Sequence, residues 1–289
     1  MKNMHIREIR SKIDSTQSTR KITRAMEMMA RTRMASAQRR AREFRPYAAR
    51  VTAIAQRMLR DRPDYTSVLM RRREPVRRAG LIVVSTDRGL CGPLNTRLLV
   101  ACADTLDAWQ RKDIQSELSV IGARGAAPLA RHGANVVART ANLGGERQFD
   151  AVLGALLVPL TAFIDGELDE VWIAYNRLTS ALSYEPRIER ILPVDGIEPL
   201  GSEPLAPYLY EPAPKPVVDT ILLRYVEACF YQAVVENGAC EQCARMFSMQ
   251  AATRNADQML RDLRHLYQKT RQARITTELC EIVAGAAAI

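Results

Sequence analysis

No stretch of the sequence is apolar and long enough to span a bilayer. Its longest uncharged run, Ala151 to Ile164, contains Pro159 and stops at 14 residues, short of the ~20 that a spanning helix needs. The opening MKNMHIREIRSK is charged throughout, so no secretory leader is expected and any membrane role is peripheral. Six cysteines scattered over 289 residues lack the density of a secreted disulfide scaffold, which points to a reducing, cytosolic setting. The three histidines, His5, His132 and His265, lie far apart. G-x-S-x-G, H-E-x-x-H and G-x-x-x-x-G-K-[ST] are all missing, and no paired-carboxylate motif replaces them. An enzymatic activity of the chain's own therefore has no residues to carry it.

Proline and glycine are nearly absent from the last quarter. The 73 residues from Val217 to Ile289 contain no proline and only two glycines, Gly238 and Gly285, so one helix can run the whole way. At 1.5 Å per residue it reaches roughly 110 Å, too long to stand without a partner along its length. Stepping by four and three from Ile221 gives Tyr225, Ala228, Gln232, Val235, Ala239, Gln242, Met246, Met249, Thr253, Ala256, Leu260, Leu263 and Tyr267, a mostly apolar coiled-coil seam. After Glu281 the ending IVAGAAAI carries no charged side chain, and a helix tip that is apolar all round needs a sleeve.

A second seam opens the chain. From Ile6 the same stepping passes Ile9, Ile13, Thr16, Arg20, Thr23, Glu27, Ala30, Met34, Ala37, Ala41, Phe44, Ala48, Val51, Ala55 and Met58. Four successive polar positions, Thr16 to Glu27, interrupt it where Ile22, Met26 and Met29 put apolar bulk on neighbouring faces, as if the helix met more than one partner there. Pro46 falls inside the run, so a local bend is expected within an otherwise kept helix. Charge is uneven: residues 1–80 hold 22 basic and 7 acidic residues, residues 81–210 hold 11 and 16, and residues 211–289 hold 9 and 9. The net charge of +10 thus belongs to the N-terminal segment, whose off-seam arginines read as a solvated face.

Between the two helices the period changes. Residues 61–79 form a basic, proline-containing connector, and Leu81 to Ser85 is a short buried strand followed by the loop TDRGLCG and a helix opening at Pro93. Further strands are expected at Ser119 to Ile121, around Asn135 to Ala138, and at Glu170 to Tyr175, with a last one near Ile188 to Val194 antiparallel to its predecessor. The expected fold is α/β: a long antiparallel coiled coil of N- and C-terminal helices with an inserted Rossmann-like α/β domain of mainly parallel sheet. Its divisions are 1–60 for the N-terminal helix, 61–79 for the connector, 80–207 for the inserted domain and 208–289 for the C-terminal helix. The returning helix is longer by about 18 residues, close to 27 Å, so its tip stands alone.

The glycine-containing loop invites a nucleotide reading, but Gly89 and Gly92 do not make G-x-G-x-x-G, and Gly122 and Arg124 stand where a ribose-binding acid is wanted. A tight structural turn fits better. Cys240 and Cys243 form C-x-x-C inside the long helix with no second pair or histidine to complete a metal site, so small apolar packing is favoured over redox work. A basic coiled coil can also grip nucleic acid through phosphates, but the acidic middle does not extend the positive stripe, which leaves this as the alternative.

The opening IREIRSKIDSTQSTRKITRAMEMMA, the loop STDRGLCGPLN, the segment YLYEPAPK and the ending RQARITTELCEIVAGAAAI together resemble the gamma subunits of bacterial F-type rotary ATP synthases, essentially end to end. The resemblance implies an asymmetric shaft inside a ring of three alpha and three beta subunits, its foot bound to the epsilon subunit and the membrane ring of c subunits. It implies a peripheral position on the cytoplasmic face of the inner membrane, ATP chemistry on beta, and no cofactor or metal of the chain's own. Residue by residue, it places Met26, Arg271, Gln272, Thr276 and Glu278 at beta-subunit contacts that carry coupling, and Tyr208 in the foot near the c-ring. This sequence departs from the family pattern at Pro93, where a second glycine is common, at EMMARTRM, and at Arg254, where the family is often acidic.

Overall fold

A computed structural model of the chain describes residues 5–61, 67–141, 148–180, 183–194, 209–211 and 213–286. Two compact units are present, residues 1–31 with 245–289, and residues 32–244. Two long helices, α1 (Ile6–Asp61) and α5 (Pro214–Ala286), contribute to both.

In the first unit α1 and α5 pair antiparallel. Thr16 Oγ1 lies 3.8 Å from Met259 Sδ, Arg20 Nη1 is 3.1 Å from Asp257 Oδ1, and Thr253 Oγ1 donates to Thr23 Oγ1 at 2.9 Å, so numbers rise on one helix as they fall on the other. Ile9, Ala30, Met249, Ala256 and Leu260 are buried on the predicted seams, and every predicted α1 position from Ile6 to Ala30 is buried or half-buried. The polar interruption is thus answered from α5 by Thr253 on its seam and by Asp257 beside it. Arg20 and Asp257 are each about 40 % exposed, so their pair contributes at most ~1 kcal/mol, and the apolar positions hold the register.

The second unit is built on a five-stranded sheet in the order β3-β2-β1-β4-β5, formed by β1 (Arg78–Val84), β2 (Gln115–Ile121), β3 (Asn135–Thr140), β4 (Glu170–Leu178) and β5 (Tyr184–Leu192). The first four are parallel and β5 is antiparallel to β4, as the short gap between them requires. β1 is central and almost wholly buried, the expected fate of the run LIVV in a sheet covered on both faces. It starts three residues before that run because Arg78, Ala79 and Gly80 pair with Gln115, Ser116 and Glu117, and these polar residues likewise lengthen β2. A single turn of 3-10 helix, Val68–Met70, capped by Ser67, lies within the predicted connector.

Alternation along β1 sorts the core into two layers. Ile82 and Val84 face one side with Ile121, Ile173 and Tyr175, where α4 (Gln148–Ile164), the residues Ala55 and Met58 of α1, and Val218, Leu222, Val226 and Phe230 of α5 cover them. Ala79, Leu81 and Val83 face the other, under α2 (Leu94–Gln110) and α3 (Ala126–Arg131). From Val218 to Ala244 α5 therefore buries a second face beyond its coiled-coil seam, which the four-three stepping alone does not reveal. Asn237 on that second face accepts from the Asn176 backbone and side-chain amides at 3.1 and 2.9 Å, fixing helix to strand.

α1 continues through Pro46, whose ring is exposed. Beside it the Phe44 ring meets Tyr231 of α5 edge-on at 4.7 Å, and Val51, Ala55 and Met58 are buried, so tertiary packing holds both sides of the proline. Pro93 is the cap of α2 rather than its first residue. Phe230, fully buried between α5 and the sheet, is the largest α5 side chain in this core. Phe230→Ala is expected to cost about 3–5 kcal/mol in urea denaturation, against less than ~0.5 kcal/mol for Arg264→Ala on the exposed side of α5.

Candidate partner-contact surface

Burial along α5 ends at Thr270. Every described residue from Arg271 to Ala286 is exposed, and the segment stays helical on local grounds. Proline is absent and Arg274 Nε donates to Glu278 Oε1 at 2.7 Å across one turn. At 100° per residue, Arg271, Gln272 and Thr276 share one arc of the helix with Ile275, Leu279, Ile282 and Val283. Those four apolar side chains are 44 %, 56 %, 68 % and 66 % exposed, a stripe that soluble helices ordinarily bury. Glu278 sits at the edge of the arc, already engaged by Arg274. The structure thus joins Arg271, Gln272 and Thr276 into one surface and adds the apolar stripe, whose i, i+4, i+7, i+8 spacing is visible in RITTELCEIV.

Met26 is half-buried on α1, one turn from the exposed Ile22 and Met29, so the three form an apolar strip beside the polar part of the seam. Tyr208 lies outside the described residues.

The loop after β1 is occupied by its own hydrogen bonds. The Thr86 amide donates to Asn95 Oδ1 at 3.2 Å, the Ala123 amide to Asp87 Oδ1 at 3.1 Å, and the Arg124 amide to the Thr86 carbonyl at 3.0 Å. Gly122 has φ +88°, and a Cβ there would come within 2.5 Å of the Ser85 carbonyl, so glycine is required by close approach of the backbone. Beneath the loop Cys91 and Leu94 pack with Cys240 and Ala244 of α5. Cys240 donates to the Asn176 carbonyl at 3.2 Å, and burial pushes its thiol well up from the ordinary range and raises that of Cys243. The C-x-x-C is packing, as its setting predicted.

Among the described residues no helix is long and apolar enough to cross a membrane, and no group of His, Cys, Asp or Glu is arranged to hold a metal ion. A protein-family model described as ATP synthase matches residues 5–289. The chain is 47 % identical over 288 residues to the ATP synthase gamma chain of Ralstonia nicotianae, covering 98 % of this chain and 99 % of that one, and 45 % identical with the same coverage to that of Cupriavidus necator. The chain belongs to the ATP synthase gamma-chain family. Its fold is that of solved relatives: a chain of the Euglena gracilis mitochondrial ATP synthase, OSCP/F1/c-ring, in rotational state 3 superposes with a TM-score of 0.64 at 18 % identity, covering 98 % of this chain and 94 % of that one. A chain of the Tetrahymena thermophila mitochondrial central stalk/c-ring gives 0.58 at 21 % identity, covering 80 % and 99 %. In this chain a long N-terminal helix, a central parallel-sheet domain and a long C-terminal helix follow in that order.

The thiols differ sharply in access. Cys280 in the exposed last turns of α5 is open, whereas Cys91, Cys102, Cys240 and Cys243 are buried and Cys229 is half-buried. Burial pushes Cys102 up to about 12 and Cys229 up to about 11. In the isolated chain at pH 8 an aromatic disulfide reagent is expected to label one thiol rapidly, and Cys280→Ala to abolish that phase. Because the raised thiols stay protonated in the fold while unfolded thiols ionise, their contribution to stability is complete below pH ~9 and declines as pH rises toward 12. Thermal melting followed from pH 8 to 11 checks the direction.

Proposed function

We propose that the chain is the central rotor shaft of a bacterial F-type ATP synthase, coupling proton flow through a c-ring to ATP synthesis in a surrounding ring of three alpha and three beta subunits. In this reading residues 1–60 and 208–289 supply the shaft and residues 80–207 the foot, which meets the epsilon subunit and the c-ring. The complex lies on the cytoplasmic face of the inner membrane, ATP is made and hydrolysed on beta, and the shaft regulates hydrolysis without catalysing it. The observation that carries the reading is the bare arc of α5 from Arg271 to Val283, apolar and exposed in a gamma-chain family member. Such a stripe belongs inside a sleeve that turns past it.

No finding favours the nucleic-acid alternative. Of the N-terminal arginines, Arg20, Arg31 and Arg45 are engaged with Asp257, Glu27 and Glu236. Affinity isolation of a tagged chain from native membranes tests the reading. Recovery of alpha and beta subunits supports it, and recovery of nucleic acid in a salt-sensitive way speaks for the alternative.

Arg271 and Gln272 act as a latch in this account. A planar guanidinium and an adjacent amide each hold an acidic or carbonyl group on one beta subunit and release it to the next. A hydrogen bond to a charged group contributes about 1.5–3 kcal/mol, a tenfold to hundredfold change in one rotary state. Arg271→Leu with Gln272→Leu is expected to assemble yet lose most ATP synthesis in inverted vesicles, normalised to assembled complex, with Arg271→Lys milder. Wild-type rates in the double variant would reduce the pair to a solvated face.

Met26→Lys places a long cation beside the polar part of the seam and adds attraction in one rotary position. It is expected to lower protons pumped per ATP hydrolysed more than it lowers assembly. Equal pumping ratios in mutant and wild-type membranes would contradict this role.

A further inference from the structure

The side of α5 that faces the sheet unit is a second four-three stripe. Leu222, Val226, Phe230, Ala233, Asn237 and Cys240 follow at steps of four or three, and all six are buried. Asn237 is the one amide among apolar and thiol side chains. Apolar contact is non-directional and scales with area, so such a stripe holds a helix onto a sheet yet resists turning only weakly. A single buried asparagine in an apolar seam does the reverse: it costs stability and sets the register.

Its partner is Asn176, fully buried on β4. Asn237 Oδ1 accepts from the Asn176 main-chain amide at 3.1 Å and from Asn176 Nδ2 at 2.9 Å, and one turn further along α5 Cys240 Sγ donates to the Asn176 carbonyl at 3.2 Å. A main-chain N–H can only donate, so Asn237 has to offer it an oxygen, and Asn176 has to turn its NH2 toward that same oxygen. Asn176 Oδ1 is thereby left buried with no hydrogen-bond partner. An orphaned buried acceptor is a cost to the fold, so stability alone does not select this arrangement. At the start of α5 Ser67 Oγ donates to Asp219 Oδ1 at 2.6 Å, but Ser67 precedes β1 and belongs to no strand.

We propose that Asn237 is a positioning residue for coupling: its side-chain oxygen, gripped by both amides of Asn176, keeps α5 from turning against the sheet when torque passes between foot and shaft. The inference rests on the proposed shaft role, in which that torque crosses from the strands to α5. Under load the apolar stripe lets the helix slip, and the paired amide bonds hold it at one angle because hydrogen bonds weaken steeply when misaligned. Without load the stripe suffices, so the pair matters only when something opposes rotation.

The test uses assembled complexes in inverted vesicles, with protons pumped per ATP hydrolysed measured at the start, when no gradient opposes rotation, and again as the gradient builds. Passive leak is measured without ATP in the same vesicles. Asn237→Leu removes the shared acceptor, whereas Asn237→Asp keeps an oxygen in its place. Expected is a wild-type starting ratio for Asn237→Leu and, at high gradient, uncoupled turnovers raised by about tenfold or more, the effect of losing a buried hydrogen bond of ordinary strength. Asn237→Asp should follow the wild type at every gradient. Asn176→Leu keeps the main-chain donor and is expected to show a smaller effect of the same kind. A ratio in Asn237→Leu that matches the wild type throughout, one lowered equally at start and end, or an Asn237→Asp as uncoupled as the leucine variant overturns the proposal. Failure of both leucine variants to assemble makes the pair purely structural and overturns it too. Wild-type pumping that does not depend on this chain contradicts the shaft reading and this inference with it, while chain-dependent pumping with an indifferent Asn237→Leu overturns this inference alone.

Discussion

Small apolar side chains at every third or fourth position of α1 and α5 are the constraint on which the rest depends. Helices of 56 and 73 residues have too little propensity of their own to be held straight and in register, so each needs a companion surface along its length. Alanine supplies much of it. Ala30, Ala37, Ala41 and Ala55 on one helix and Ala228, Ala239 and Ala256 on the other are all buried and let backbones approach closely. Where the seam turns polar, Thr23 meets Thr253 and Arg20 meets Asp257, so the register is marked by pairs that a slipped alignment would leave unsatisfied.

The sheet unit depends on the same helices from another side. α5 turns Val218, Leu222, Val226 and Phe230 toward the sheet while Asn237 locks onto Asn176. Cys240 and Ala244 then seat the loop that follows β1. One helix is therefore seam partner, sheet cover and, beyond Thr270, a surface with nothing on it among the described residues. Burial is lost there because the antiparallel register, with Thr16 at Met259 and Thr23 at Thr253, brings Ile6, the first residue of α1, level with Thr270, and Arg274, Thr277 and Glu281 then stand where Ala256 and Leu260 do further back.

Much of this was legible in the residues. The four-three stepping located both seams, and the run LIVV located the central strand, because each pattern reports burial on a defined face. The second face of α5 was hidden, since Leu222, Val226 and Phe230 lie between seam positions and a one-stripe template does not count them. The early starts of β1 and β2 were hidden too: Arg78 and Gln115 join the sheet by backbone pairing, which side-chain character does not announce. Of the candidate contacts, Arg271, Gln272 and Thr276 proved to share an arc with exposed apolar residues, whereas Glu278 is tied to Arg274 within its own helix.

The central claim is mechanical: this chain turns within a ring that makes ATP. It is tested most directly by fixing the assembled complex to a surface through its beta subunits, attaching a bead to the exposed side of α2 in this chain, and following the bead while ATP is supplied. The account predicts sustained rotation in one direction that stops when ATP is withdrawn. Steady ATP hydrolysis by complexes whose beads stay still would contradict it.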